Sequence, residues 1–157
     1  MTIVPPPTQA GFLAFVRNSM VIGTDVLPDD SDAISTAYQI AIEIANILMN
    51  CVSPVIYTVM VYNLAGSNLI EFAPDVQPPV VYKDGLSYFE YWRKTFGISS
   101  FVGGTIASTS DEGTSESLNV PENLKQLTLA DLSLLKNPWG RTYLQYAEKY
   151  GTIVGLS

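Results

Sequence analysis

Catalysis near neutral pH needs a side chain that titrates or attacks there, and this chain supplies few. Its 157 residues include 15 carboxylates, one cysteine and no histidine. Without histidine, neither a Ser-His-Asp nor a Cys-His arrangement can be assembled, and an imidazole metal site is excluded. No phosphate-cradling glycine loop is present. The candidate chemical groups are therefore acids. Asp29, Asp30 and Asp32 surround Ser31 in a run that suits a cation, but it lacks the spacing and the bidentate glutamate of an EF-hand loop. Asp111-Glu112-Gly113 is weaker still. A carboxylate pair for glycoside hydrolysis stays open on sequence grounds, although most acids fall at helix starts, where capping explains them. Cys51 sits at an apolar helix end and reads as a small buried hydrophobe. The expectation is no enzyme, no metal and no cofactor.

The elements that would position these residues are helical. Pro5-Pro6-Pro7 predicts a stiff extended arm. Thr8 caps a helix over about 9–20, with Phe12, Phe15, Val16 and Met20 on one stripe. Gly23 and Pro28 bracket a linker. The acidic run then opens a second helix over 31–50, because hydroxyl and carboxylate oxygens satisfy free amides and the positive dipole end. Its polar residues Gln39, Glu43, Asn46 and Asn50 form a narrow stripe, and isoleucine and alanine fill most of the remaining circumference. Ser53-Pro54 restarts the chain as a third helix over 54–72. Its β-branched residues make a strand the local competitor.

Further along, residues 73–83 read as a proline-rich connector. Asp84 then caps a fourth helix over 85–96, ended by Gly97, with Tyr88, Phe89, Trp92 and Phe96 inward and a Glu90–Lys94 pair opposite. Phe101 to Ile106 can form a hairpin around Gly103-Gly104. Residues 108–117 are small, polar and acidic, and read either as a surface loop or as an arm that orders on a neighbour. Pro121 begins a short helical turn, and Thr128 with Asp131 opens another. Asn137-Pro138 starts a last helix over 138–150, with Trp139, Tyr143, Tyr146 and Tyr150 on one stripe, which reads as core or, at the end of a chain, as an interface anchor. The fold class expected is mainly α. It is a single helical domain over 1–157, a bundle of five to six helices with a short β-hairpin and an extended loop or arm. The main bundle covers 8–97, the hairpin or arm 98–120, and the C-terminal helices and tail 121–157.

Composition narrows the partners. Apolar residues make up 47% and charged residues only 15%, well under the roughly quarter usual for a soluble domain. The most apolar stretch, Pro54 to Ile70, is interrupted by Asn63, Gly66, Ser67 and Asn68, so no membrane span is expected. The N-terminus has neither the basic start nor the apolar run of a signal peptide. Net charge is −7, and Arg17 is the only basic residue before Lys83. Gripping nucleic acid requires clustered lysine and arginine, which are dispersed here. So much apolar helix surface predicts cover by other copies of the chain. Ile40, Ile44, Ile47, Val55, Val59 and Tyr62 are the candidate subunit interface.

The segments SDAISTAYQIAIEIANILMN, SPVIYTVMVYNLAGSNLI and LTLADLSLLKNPWGRTYLQYAEKYG together resemble the small helical neck proteins of tailed bacteriophages, the head-to-tail connectors or adaptors. The similarity spans most of the chain and lies in overall texture, not in a catalytic motif. What it implies is a homo-oligomeric virion protein, a twelvefold ring between the portal protein and a tail or collar protein, extending the channel through which double-stranded DNA passes. It also implies docking arms, for which Phe101, Ile106, Trp139, Tyr143 and Tyr150 are the anchors. Asp29, Asp30, Asp32 and Glu43 would line the channel and keep DNA mobile. Another neck, collar or tail-terminator role, a non-phage helical oligomeric adaptor, and a carboxylate-dependent hydrolase are the competing expectations.

Overall fold

The computed structural model describes residues 6–45, 51, 53–100, 108–111, 114–117 and 129–151. Among them are six helices and two small two-stranded sheets. Helix α1 spans Gln9–Asn18, capped by Thr8, whose Oγ1 accepts from the Gly11 amide at 3.0 Å. Phe12 and Val16 are fully buried and Phe15 packs beside them, the expected stripe. Arg17 closes the helix. Its guanidinium donates to the carbonyls of Ile22 (2.7 Å) and Leu27 (2.6 Å) and pairs with Asp29. That clamp folds the linker back on the helix end and places Ile22 and Leu27 in the core.

Helix α2 spans Asp32–Ile44 with Ser31 as its cap. It ends well before residue 50, because Ala45 turns extended (φ −65°, ψ 131°). The closely spaced isoleucines 40, 42 and 44 favour helix only weakly, which makes an early stop inexpensive. Residues 46–50 lie outside the described residues. Cys51 is exposed, not the buried hydrophobe expected.

Helix α3 spans Pro54–Phe72, where the Ser53-Pro54 signal put it. Ser53 Oγ accepts from the Ile56 amide at 3.4 Å. Arg93 closes the other end, donating from Nε to the Ile70 carbonyl at 2.8 Å and from Nη2 to that of Ala73. These carbonyls have no partner within the helix, so a cation there both bonds them and complements the dipole.

The connector and fourth helix differ from expectation. Strands β1 (Val81–Lys83) and β2 (Leu86–Ser87) pair antiparallel, with Val81 opposite Ser87 and Lys83 opposite Leu86. Asp84 and Gly85 join them at φ 53° and 74°, consecutive left-handed residues as in a type I′ hairpin turn. Asp84 is thus a turn residue. The cap is Ser87, whose Oγ accepts from the Glu90 amide, and α4 spans Tyr88–Thr95. Tyr88 and Phe89 are buried, and Trp92 and Phe96 half-buried. No Glu90–Lys94 ion pair forms among the described residues.

Strands β3 (Ser108–Asp111) and β4 (Thr114–Ser117) pair in register, Ser108 with Ser117 and Asp111 with Thr114. The polar segment read as a loop or arm is therefore a hairpin, whose strands close their own backbone hydrogen bonds. The hairpin expected at 101–106 lies outside the described residues. Helix α5 spans Leu129–Leu134 and α6 spans Pro138–Gly151, with Asn137 Oδ1 accepting from the Gly140 amide at 2.8 Å.

α3 is the axis of the molecule. α2 packs along one side of it and α6 along another, and these two share no comparable packing with each other. α1 lies over a further face, where Phe12 and Phe15 meet the Tyr62 ring at centroid distances of 6.0 and 5.9 Å. Close approach requires small residues on α3. At Gly66 a Cβ would come within 3.1 Å of Met20 Sδ and 3.4 Å of the Phe15 ring. Tyr57, Met60, Val61, Leu64, Ala65, Leu69 and Ile70 are all buried by the chain's own elements. The expectation that α3 needs sister copies for cover therefore does not hold along most of its length.

Candidate interaction surface

What α3 does not leave open, α2 does. Along α2 the outward positions are Asp32, Thr36, Gln39, Ile40, Glu43 and Ile44, a continuous helical stripe. Ile40 is 41% exposed and Ile44 58%. Beside them a groove of about 260 Å³ runs between α2 and the end of α3. Ala33, Ala37, Ile40, Leu69 and Phe72 line it, with Asp32 and Thr36 among its polar lining residues. Phe72 stands 75% exposed. Exposed single hydrophobes are ordinary, but Ile40, Phe72 and an apolar groove together make a contiguous patch of the kind that marks an interaction site.

The other expected interface residues divide. Val55 is exposed and Val59 half-buried. Tyr62 is engaged within the chain, its hydroxyl accepting from the Thr8 amide at 3.1 Å and donating to the Thr8 carbonyl at 3.2 Å. Ile47, Phe101 and Ile106 lie outside the described residues. Trp139, Tyr143 and Tyr150 are half-buried against the core, and Tyr150 stacks on Tyr146. Among the acids, Asp29 is held by Arg17, while Asp30, Asp32 and Glu43 are exposed.

Ionisation inside the fold follows burial. Glu71, half-buried near the end of α3, has its carboxyl pushed above the usual range by burial, and the nearby Lys136 ammonium opposes the shift. Lys136 itself donates to the carbonyls of Gly97 (2.9 Å) and Ile98 (3.2 Å). Burial, with Tyr82 close by, pushes the Tyr88 phenol up to about 12. Burial, reinforced by Asp131, raises the Tyr143 phenol. No three potential metal ligands gather among the described residues.

Sequence reasoning missed three features. A second apolar patch is exposed, Val80 just before β1 with Val81 and Tyr82 on it, and Asp84-Gly85 between alternating residues was its available signal. Phe72, the last residue of α3, is exposed, which periodicity alone does not reveal. The Arg17 clamp had a signal in the isolation of that one cation among acids. No helix among the described residues is long and apolar enough to cross a membrane. Set against known protein families, curated proteins and solved structures, the chain finds no match.

Proposed function

We propose that the chain is a structural component of a tailed-phage neck, a head-to-tail connector that assembles as a homo-oligomeric ring, twelvefold by the family resemblance, between portal and tail protein. The observation that carries this is the outer face of α2, where Ile40 and Ile44 are exposed beside the Phe72 groove. A helical scaffold with an unpartnered apolar face is a subunit shape, and assembly into a closed ring needs such a face on every copy. The same face bears on the acids. Asp32 and Glu43 share it with the isoleucines, so its task is subunit contact and not lining of a DNA channel. Asp30, exposed and unpaired among the described residues, stays a candidate for the channel wall.

The test uses the full chain and the portal ring from the phage that encodes it. Mixed and imaged by negative stain, they should show one added layer of density on the tail-facing side of the portal. Free chain beside bare portals, together with virions lacking the polypeptide by mass spectrometry, would discard the neck assignment.

A further inference from the structure

A subunit that closes a ring needs two different faces that fit one another, and α2 supplies only one of them. The second is on α6. Its outward positions are Arg141, Gln145, Glu148 and Lys149, while Leu144 is buried and Tyr143, Tyr146 and Tyr150 are half-buried. α2 and α6 both pack on α3 and barely meet each other, so neither covers the other's outer face.

Their directions agree as well. The groove sets the start of α2 beside the end of α3, so α2 runs antiparallel to α3. Asn137, at the start of α6, bonds Ser67, only five residues before α3 ends. A 14-residue helix starting there and packed along α3 must run back toward Ser53. α2 and α6 are therefore parallel, with their starts at the same end of the molecule.

Charge sorts onto these faces with opposite sign. Asp32 and Glu43 lie on the α2 face, Arg141 and Lys149 on the α6 face, and none of the four makes an ion pair among the described residues. At about 1.5 Å per residue, Asp32 and Glu43 are roughly 16 Å apart along α2, and Arg141 and Lys149 roughly 12 Å apart along α6. Long arginine and lysine side chains span that difference. In a parallel alignment of the two helices, the acid at the start of α2 meets Arg141, and Glu43 meets Lys149. Glu148 is the one charge on the α6 face that opposes this fit.

We propose that the occupant of the α2 face is a second copy of this chain, docked by its α6 face in a head-to-tail contact. Asp32 faces Arg141, Glu43 faces Lys149, and Ile40 and Ile44 are covered between them. The proposal rests on the ring-forming reading above and names the partner surface for it. Because the contact is heterologous, every open oligomer keeps one free α2 face and one free α6 face, and assembly continues until it closes.

Two charge-reversed variants test it. One carries Asp32→Lys and Glu43→Lys, the other Arg141→Glu and Lys149→Glu. Sedimentation velocity and native mass spectrometry are run in reductant, since Cys51 is exposed. Wild-type chain should associate, and added salt should weaken the association. Each variant alone should associate about 100-fold more weakly. An equimolar mixture should recover oligomers with strict alternation, because each reversed face meets its reversed complement. Circular dichroism checks folding, and a reversal that does not fold is replaced by the neutral pair on its own face, Asp32→Asn with Glu43→Gln or Arg141→Gln with Lys149→Gln, which should weaken association without recovery on mixing. Wild-type chain that stays monomeric at about 1 mM overturns the proposal. So does undiminished assembly of either variant, or a mixture of the two reversals that fails to recover. Rings on the portal built equally well by both variants would overturn this contact while leaving the neck assignment standing. Self-assembly with the predicted mixing behaviour, but no portal binding, would do the reverse.

Discussion

Asn137 donates from Nδ2 to Ser67 Oγ at 2.8 Å, joining the start of α6 to the middle of the chain across 70 residues, and both side chains are fully buried. The Oδ1 of the same amide caps α6 through the Gly140 amide. One side chain thus both starts a helix and docks it. Asn137→Ala should cost about 2–4 kcal/mol, the sum of a lost cap and a buried hydroxyl left without its donor. Ser67→Ala should cost less, since the cap survives. The double variant should lose less than the sum of the singles, with a coupling of about 1–2 kcal/mol in urea unfolding. Additive losses would show that the two groups act separately.

Val21 is held at φ 57° while its side chain stands 74% exposed. A β-branched residue in the left-handed region is strained. The strain is imposed by the end of α1, where the amides of Met20 and Ile22 return to the carbonyls of Phe15 and Val16, each at 3.1 Å. Glycine relieves about 1–2 kcal/mol there and gives back roughly half through a more flexible unfolded chain. Val21→Gly should therefore stabilise by about 0.5–1 kcal/mol and raise Tm by about 1–4 °C. A lower Tm in a thermal scan would mean that the valine side chain makes contacts its exposure does not suggest.

Much of the fold is legible because the decisive signals are local. Ser53-Pro54 and Asn137-Pro138 each combine a side-chain acceptor with a residue that has no amide to satisfy, and both helices start where those pairs stand. Asp84-Gly85 is harder because aspartate serves equally as helix cap and as left-handed turn residue. The alternation of Val81 and Lys83 against Leu86 settles it for the turn. What covers α3 is not local at all. It depends on α1, α2 and α6 closing around one helix, and Gly66 and Ser67 show their purpose only once Met20, Phe15 and Asn137 lie against them. The candidate surface was partly visible, since Ile40 and Ile44 can be named from the excess of isoleucine. That Phe72 is exposed and Tyr62 engaged follows from tertiary packing.

Glu71 has a carboxyl whose pKa is raised by burial, so the fold favours its protonated form. The stabilising effect of that proton is fully present below the ordinary carboxylate range and is lost as pH rises through the raised value. At about pH 7 the charged carboxylate therefore opposes folding, and Glu71→Gln should raise the urea midpoint. The advantage should shrink as the buffer is acidified and vanish near about pH 4. Lys136→Met should deepen the penalty at neutral pH, because that ammonium is the group holding the carboxyl down. A glutamine variant with the same gain at both ends of the pH range would assign the effect to packing.

Arg93 reaches across to the end of α3, bonding the Ile70 carbonyl from Nε and the Ala73 carbonyl from Nη2. Burial lowers its pKa, and the Asp75 carboxylate opposes that shift. Only a guanidinium presents two donors in a fixed fork, so lysine cannot reproduce the pair of bonds. Arg93→Lys should lose about 1–3 kcal/mol, close to the loss from Arg93→Met, because both leave one or two buried carbonyls unmatched. Asp75→Asn should cost less, since the forked bonds remain and only a partly screened charge is removed. Guanidinium chloride unfolding of the three variants checks the order. If lysine retains full stability, charge at the helix end is what matters, and the fork is incidental.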